Sequence, residues 1–241
     1  MKKGGNMCGR LNVTDDEFVQ GLCISLGLDL HIDPIIPNRF VRAASPIQII
    51  REVNGQRMLQ NATWWLLLEP STNGFKPSKY TSFNTRYDKL NVPGSAGYTP
   101  FRTARCIIPA RGFGESEFEQ QGNKKIPMHY HDLVAVDGAI AFAGLYKEYI
   151  DKDCGEITLG CSIITLPPHP KLMQIHRKSS PLMLPQDAIL DTWLDPTYQQ
   201  ISEFEYLMHP RLTQDLIATQ INKPSQYQPI AAPSIIQRDM S

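Results

Sequence analysis

Strand-length apolar runs separated by turn-forming pairs narrow the folds open to this 241-residue chain more than any other feature. Ile47 to Val53 and Met58 to Leu68 flank Asn54-Gly55, and Met128 to Val136 and Ala139 to Tyr146 flank Asp137-Gly138. Asn-Gly or Asp-Gly between apolar runs favours the two-residue turn of an antiparallel hairpin, because both residue types tolerate the positive φ that turn needs. Arg105 to Pro109 and Ile157 to Leu166 add two more strands, the second entered through Cys154-Gly155.

Helical signals lie at the two ends. Thr14-Asp15-Asp16-Glu17 has capping-box spacing with Thr14 as N-cap, and Phe18, Val19, Leu22, Cys23 and Leu26 then recur on one face. Pro185 suits the first turn of a helix carrying Ile189, Leu190 and Trp193, and residues 202–208 read as a second short helix. Residues 70–100 are rich in Pro, Ser, Asn and Gly and read as one long loop, a length that compact domains rarely carry unless it binds something or is disordered. The tail from 222 is Pro- and Gln-rich without periodicity. The pattern predicts one α+β domain at 8–221, preceded by a leader or an early start at 1–7 and followed by a tail at 222–241.

Charge excludes some functions and suggests another. Lys+Arg and Asp+Glu number 24 each, which rules out a uniformly basic coat for nucleic acid. From Lys76 to Arg111, however, seven basic residues (Lys76, Lys79, Arg86, Lys89, Arg102, Arg105, Arg111) face one acid, Asp88. Such a stretch is a candidate phosphate track, or else a solvated face balanced by Asp187, Asp191 and Asp195. No apolar run is long enough to span a bilayer, and Met1–Met7 lacks the apolar segment of a signal peptide. Five cysteines in no tight spacing fit a reducing, cytoplasmic setting. His129 and His131 alternate on a strand, but no third and fourth ligand stands at zinc spacing, so no metal and no cofactor is expected. His169 reads as a loop residue between prolines.

Cys8, in Met7-Cys8-Gly9-Arg10, is the candidate nucleophile. If translation starts at Met7, or the leader is removed, Cys8 carries an α-amine of pKa about 7.7–8.0 beside a thiol of about 8.5. That amine condenses with an aldehyde to an imine, and the neighbouring sulfur closes on the imine carbon to give a thiazolidine. With the leader attached, the nitrogen is an amide and the reaction is closed. The plain alternative is an ordinary buried cysteine.

Further strings follow in order: Ser82-Phe83-Asn84-Thr85-Arg86, then Arg105-Cys106-Ile107-Ile108-Pro109-Ala110-Arg111-Gly112-Phe113-Gly114-Glu115, then Ala143-Gly144-Leu145-Tyr146, Ile163-Ile164-Thr165, Ile175-His176 and Pro181-Leu182-Met183-Leu184. With Met-Cys-Gly-Arg before them, they resemble the SRAP family, the SOS response-associated peptidases, over about residues 7–195. The resemblance implies a barrel-like, mainly antiparallel sheet with peripheral helices. It also implies a peptidase-like or lyase-like protein that traps abasic sites in single-stranded DNA, with a single chain as the unit.

Position by position, Cys8 looks like the family's nucleophile and Asn84 like the asparagine that hydrogen-bonds the adduct. Glu115 corresponds to its proton-shuttling glutamate and His176 to the histidine that protonates the sugar ring oxygen. Arg86 is similar to its phosphate-holding arginine, and Arg10, Lys89, Arg105 and Arg111 are the other candidate phosphate contacts. The family's aromatic-Glu-Trp string is Gly114-Glu115-Ser116 here, and its Tyr-Asn-x-Ala-Pro segment is Phe40-Val41-Arg42-Ala43-Ala44. The residues themselves leave two other chemistries open. One is a thiol autopeptidase that uses Cys8 with His176 to remove its own leader. The other is a non-covalent single-strand binder that stacks bases on Trp64 or Trp65, both of which also read as core.

Overall fold

Asn54 (φ 52°) and Gly55 (φ 76°) adopt the paired left-handed conformation of a tight hairpin turn. They join β3 (Pro46–Val53) to β4 (Gln56–Thr63), as their sequence predicts. The structure, a computed structural model, describes residues 9–122 and 124–240. β1 (Arg10–Val13), α1 (Glu17–Ser25) and β2 (Asn38–Arg42) precede that hairpin. A small hairpin, β5 (Leu68–Ser71) with β6 (Gly74–Pro77), follows it, then β7 (Asn84–Arg86) and α2 (Tyr98–Thr103). These elements break up the loop expected at 70–100.

The central path is β8 (Arg105–Ala110), β9 (Gly112–Gln121), β10 (Lys124–Ala135), β11 (Ile140–Ile150) and β12 (Ile157–Leu166). β13 (Ser180–Pro181), α3 (Ile189–Leu194), a 3₁₀ helix at Ile201–Met208, β14 (Leu216–Ile221) and β15 (Ser234–Ile236) complete one α+β domain. β11, β8, β3, β4 and β12 pair in that order, and β12 pairs back onto β11, closing a five-stranded barrel. A second sheet, in the order β15-β14-β10-β9-β1-β2, is antiparallel throughout.

Alternation along the strands divides the apolar residues into two cores. On β8 and β11, Cys106, Ile108, Ile140 and Phe142 pack inward with Trp64 and Phe113. The intervening Ile107, Ala141, Ala143 and Leu145 face outward and bury Val19, Leu22, Phe101, Trp193 and Phe204 from the helical segments. Among the described residues no helix is long and apolar enough to cross a membrane.

Four further expectations change. Asp137-Gly138 is not a hairpin turn: β10 pairs with β9 and β14, β11 pairs with β8 and β12, and the dipeptide carries the chain from the sheet to the barrel. Asp137 has no positive φ and Gly138 sits at 138°, so the tight-turn geometry is absent. The N-cap of α1 is Asp16, not Thr14. Asp16 Oδ1 accepts the amides of Phe18 and Val19 at 3.2 and 3.0 Å, and Thr14 donates its hydroxyl to Asp16 at 2.7 Å. α3 starts at Ile189, beyond the reach of Pro185. The tail is ordered where it adds β15 to the sheet and where Asp239 accepts from the Leu212 amide and pairs with His169 and Lys171.

Candidate functional site

β1 and β2 run side by side with Arg10 directly opposite Arg42, and β9 lies on the other side of β1 with Gly114 opposite Arg10. Both arginines rim a cleft of about 390 Å³ whose described lining begins at Gly9 and includes Glu115, Trp65 and Phe83. Like charges opposite one another on paired strands repel, and an anion between them relieves that repulsion. Burial, with Arg42 alongside, lowers the Arg10 pKa from its ordinary value.

Close backbone approaches shape the walls. A Cβ on Gly114 would lie 2.9 Å from Arg10 Cβ and 3.2 Å from the Phe40 ring. The space that an aromatic would need here is filled from β2 by Phe40, itself held at φ 51°. A Cβ on Gly160 would lie 2.6 Å from the Trp65 carbonyl oxygen, so only glycine lets that backbone pass β12. The buried Trp64 donates its indole N–H to the Phe83 carbonyl at 2.9 Å, fixing the strand that enters β7. Trp64 is therefore core, whereas the half-buried Trp65 stands in the cleft wall, 5.7 Å from the Phe83 ring.

Glu115, on β9, is 4 % exposed and faces the cleft. Its Oε2 is 3.6 Å from Nδ1 of His176, which is 2 % exposed and one layer further in. His176 Nδ1 is 3.2 Å from the Ser116 carbonyl; a carbonyl only accepts, so the proton sits on Nδ1 and the neutral ring keeps its lone pair on Nε2. Burial pushes the His176 pKa down, opposed by Glu117 and the Ser116 bond. Asn84 sits on β7 in register with Ile163 of β12, next to Phe83 of the cleft wall. Thr85 anchors that strand through a 2.8 Å hydrogen bond with Ser162. Cys8 and the leader lie outside the described residues. The buried thiols of Cys23, Cys106 and Cys161 are pushed up by desolvation, Cys23 to about 12, and are poor nucleophiles.

The basic stretch does not form one track. Arg105 is 2 % exposed and donates to the carbonyls of Phe101, Arg102, Trp193, Asp195 and Tyr198. Arg111 donates to the carbonyls of Ala135, Val136 and Gly138, pairs with Asp16 and stacks on Phe18, clamping the crossover between the sheets. Both guanidiniums are occupied inside the fold, and neither lines the cleft. Arg86 and Lys89 are exposed, with Arg86 2.7 Å from Asp88. Arg42, in the sequence only one residue of the Phe40-Val41-Arg42-Ala43-Ala44 segment, is brought opposite Arg10 by the β1–β2 pairing.

His131 faces Glu115 across the β9–β10 ladder, and its ring centroid lies 4.9 Å from that of His129. Burial, reinforced by His129, holds His131 down to about 4. Among the described residues no group of three or more His, Cys, Asp or Glu is placed to hold a metal ion. The unfolded His131 titrates near 6.5 and the folded one near 4, so the stability tied to its neutral form is present above pH 6.5 and lost as pH falls towards 4. Nδ1 of His131 has no hydrogen-bond partner among the described residues. Replacement by Leu therefore removes the titration without breaking a bond there. Thermal melts across pH 7 to 4 are expected to fall less steeply for His131→Leu than for the parent protein; parallel curves would refute this.

Comparison with known proteins agrees with this architecture. A protein from Bacteroides thetaiotaomicron aligns with a TM-score of 0.64 at 22% identity, covering 91% of this chain and 99% of that one. A protein from Bordetella bronchiseptica aligns with 0.67 at 16% identity, over 90% and 100% of the two chains. A phage-related protein from the same organism gives 0.66 at 17%, over 92% and 99%. At these identities the likeness is one of fold. No curated protein matches the chain. The family model described as SOS response associated peptidase (SRAP) matches residues 7–224, the stretch that holds the barrel, the cleft, Glu115 and His176, and the chain belongs to that family.

Proposed function

We propose that this chain captures abasic sites in single-stranded DNA as a covalent thiazolidine adduct of Cys8. Membership of the SRAP family associates it with the response to DNA damage and with DNA as partner. The observation that carries the finer reading is the Glu115–His176 pair, 3.6 Å apart, against a cleft rimmed by Arg10 and Arg42 whose lining, among the described residues, starts at Gly9. Cys8 is the residue bonded to the nitrogen of Gly9.

The chemistry asks for what this cleft supplies. The α-amine of Cys8 adds to the ring-opened sugar aldehyde. The resulting carbinolamine loses its hydroxyl as water to leave an imine. The sulfur then bonds to the imine carbon while its proton passes to the nitrogen. Each step moves a proton from a donor to an acceptor, which a carboxyl group facing the substrate can relay. Glu115 takes that part, His176 behind it is the second proton carrier, and Asn84 orients the adduct. Arg10 and Arg42 hold the flanking phosphates, with Arg86 and Lys89 exposed for the strand beyond.

The test uses protein that begins at Cys8 and an oligonucleotide carrying one abasic site, read by denaturing gel and intact mass. A band at the summed mass less one water is expected, and none from Cys8→Ala or from protein that retains residues 1–7. Adduct of equal yield from either would overturn the proposal. Hydrolysis of unrelated peptides that requires Cys8, without adduct, would favour the thiol peptidase instead.

A further inference from the structure

Two residues beyond Glu115 on the same face of β9, Glu117 is a 5 % exposed carboxylate whose contacts converge on His176. Its Oε2 accepts the backbone N–H of Arg177 at 3.1 Å, and its Oε1 accepts from the Arg177 guanidinium at 3.3 Å. On the other side, the His176 amide donates to the Leu172 carbonyl at 2.8 Å. The peptide groups before and after the His176 Cα are thus both tied down, and the ring is aimed by the Ser116 carbonyl, the neighbour of Glu117 in sequence. The same Oε2 lies 3.7 Å from His176 Nδ1.

We propose that Glu117 is a positioning residue that fixes the backbone of His176 and keeps its proton on Nδ1. Its bearing on adduct formation rests on the function proposed above; its hold on His176 does not. Among the described residues, the charged and titratable groups facing His176 are Glu115 and Glu117 from β9, His129 from β10, and Arg177 and Lys178 on its own segment. His129 also touches the segment, with Nε2 3.3 Å from the Ile175 carbonyl. Of these groups, Glu117 most favours the imidazolium, against the pull of burial, Lys178 and His129. Gln at 117 keeps an acceptor for the Arg177 amide and removes the charge. Arg177 is largely exposed, so its truncation to Ala spares the fold and removes the cation that shares Glu117 with His176.

The experiment is an NMR titration of the His176 ring in the whole protein and in the two variants, beside the pH profile of adduct formation. Glu117→Gln is expected to lower the His176 midpoint by about one pH unit. Arg177→Ala is expected to move it the other way, and the pH profile to follow both. Midpoints unchanged in both variants, or moved in the same direction, would overturn the proposal. A parent protein that forms no adduct at any pH would count against the proposed function alone, because the titrations are read without DNA.

Discussion

Replacing Glu115 by Gln in protein that begins at Cys8 is expected to slow adduct formation about 100-fold or more at saturating DNA. The amide is the same size and hydrogen-bonds in the same place, but it can neither give a proton to the departing hydroxyl nor take one from the attacking nitrogen. Glu115 is buried against His176 yet faces the cleft, so the loss falls on the chemical step and not on binding. Quenched-flow sampling with a denaturing gel gives the rate, and salt-dependent binding to an intact strand serves as the control. A rate within threefold of the parent would remove Glu115 from the reaction.

Arg105→Ala is expected to destabilise the protein by about 2–6 kcal/mol, about 1–3 kcal/mol for each of two buried carbonyls left without a donor. The guanidinium ties α2, the end of α3 and the segment through Tyr198 to the barrel strand β8. Without it, the Phe101 and Trp193 carbonyls lose buried donors at 2.9 and 2.8 Å. Desolvation already lowers the group to about 10, a sign of how completely the fold takes it out of water. Urea melts should show a lower midpoint at unchanged slope. Affinity for DNA, measured well below the transition, should not change. A weakened DNA complex with an intact melting curve would restore Arg105 to the phosphate contacts.

Much of the fold was legible locally. Asn54-Gly55 declared its hairpin because its φ requirement is met by those two residues whatever surrounds them. The α1 face emerged from apolar spacing, although its cap moved two residues to a carboxylate that reaches two amides. Asp137-Gly138 looked the same on paper and behaved otherwise, because the strands beside it found better partners in different sheets. Strand pairing is a property of the whole chain, and a dipeptide reports only the local preference.

The site divides along the same line. The order of Asn84, Glu115 and His176 along the chain marked the family, and sequence alone determined that. Only the tertiary structure decided which guanidiniums are occupied inside the fold and which line the cleft. Arg105 and Arg111 read as members of a phosphate track beside Arg86, yet backbone carbonyls consume them. Arg42 stood in the sequence only as part of the Phe40–Ala44 segment, yet it faces Arg10 across paired strands at the cleft. A guanidinium has the same composition wherever it stands. Whether it meets a carbonyl inside or an anion outside depends on which strands lie next to it, and that is decided by long-range packing.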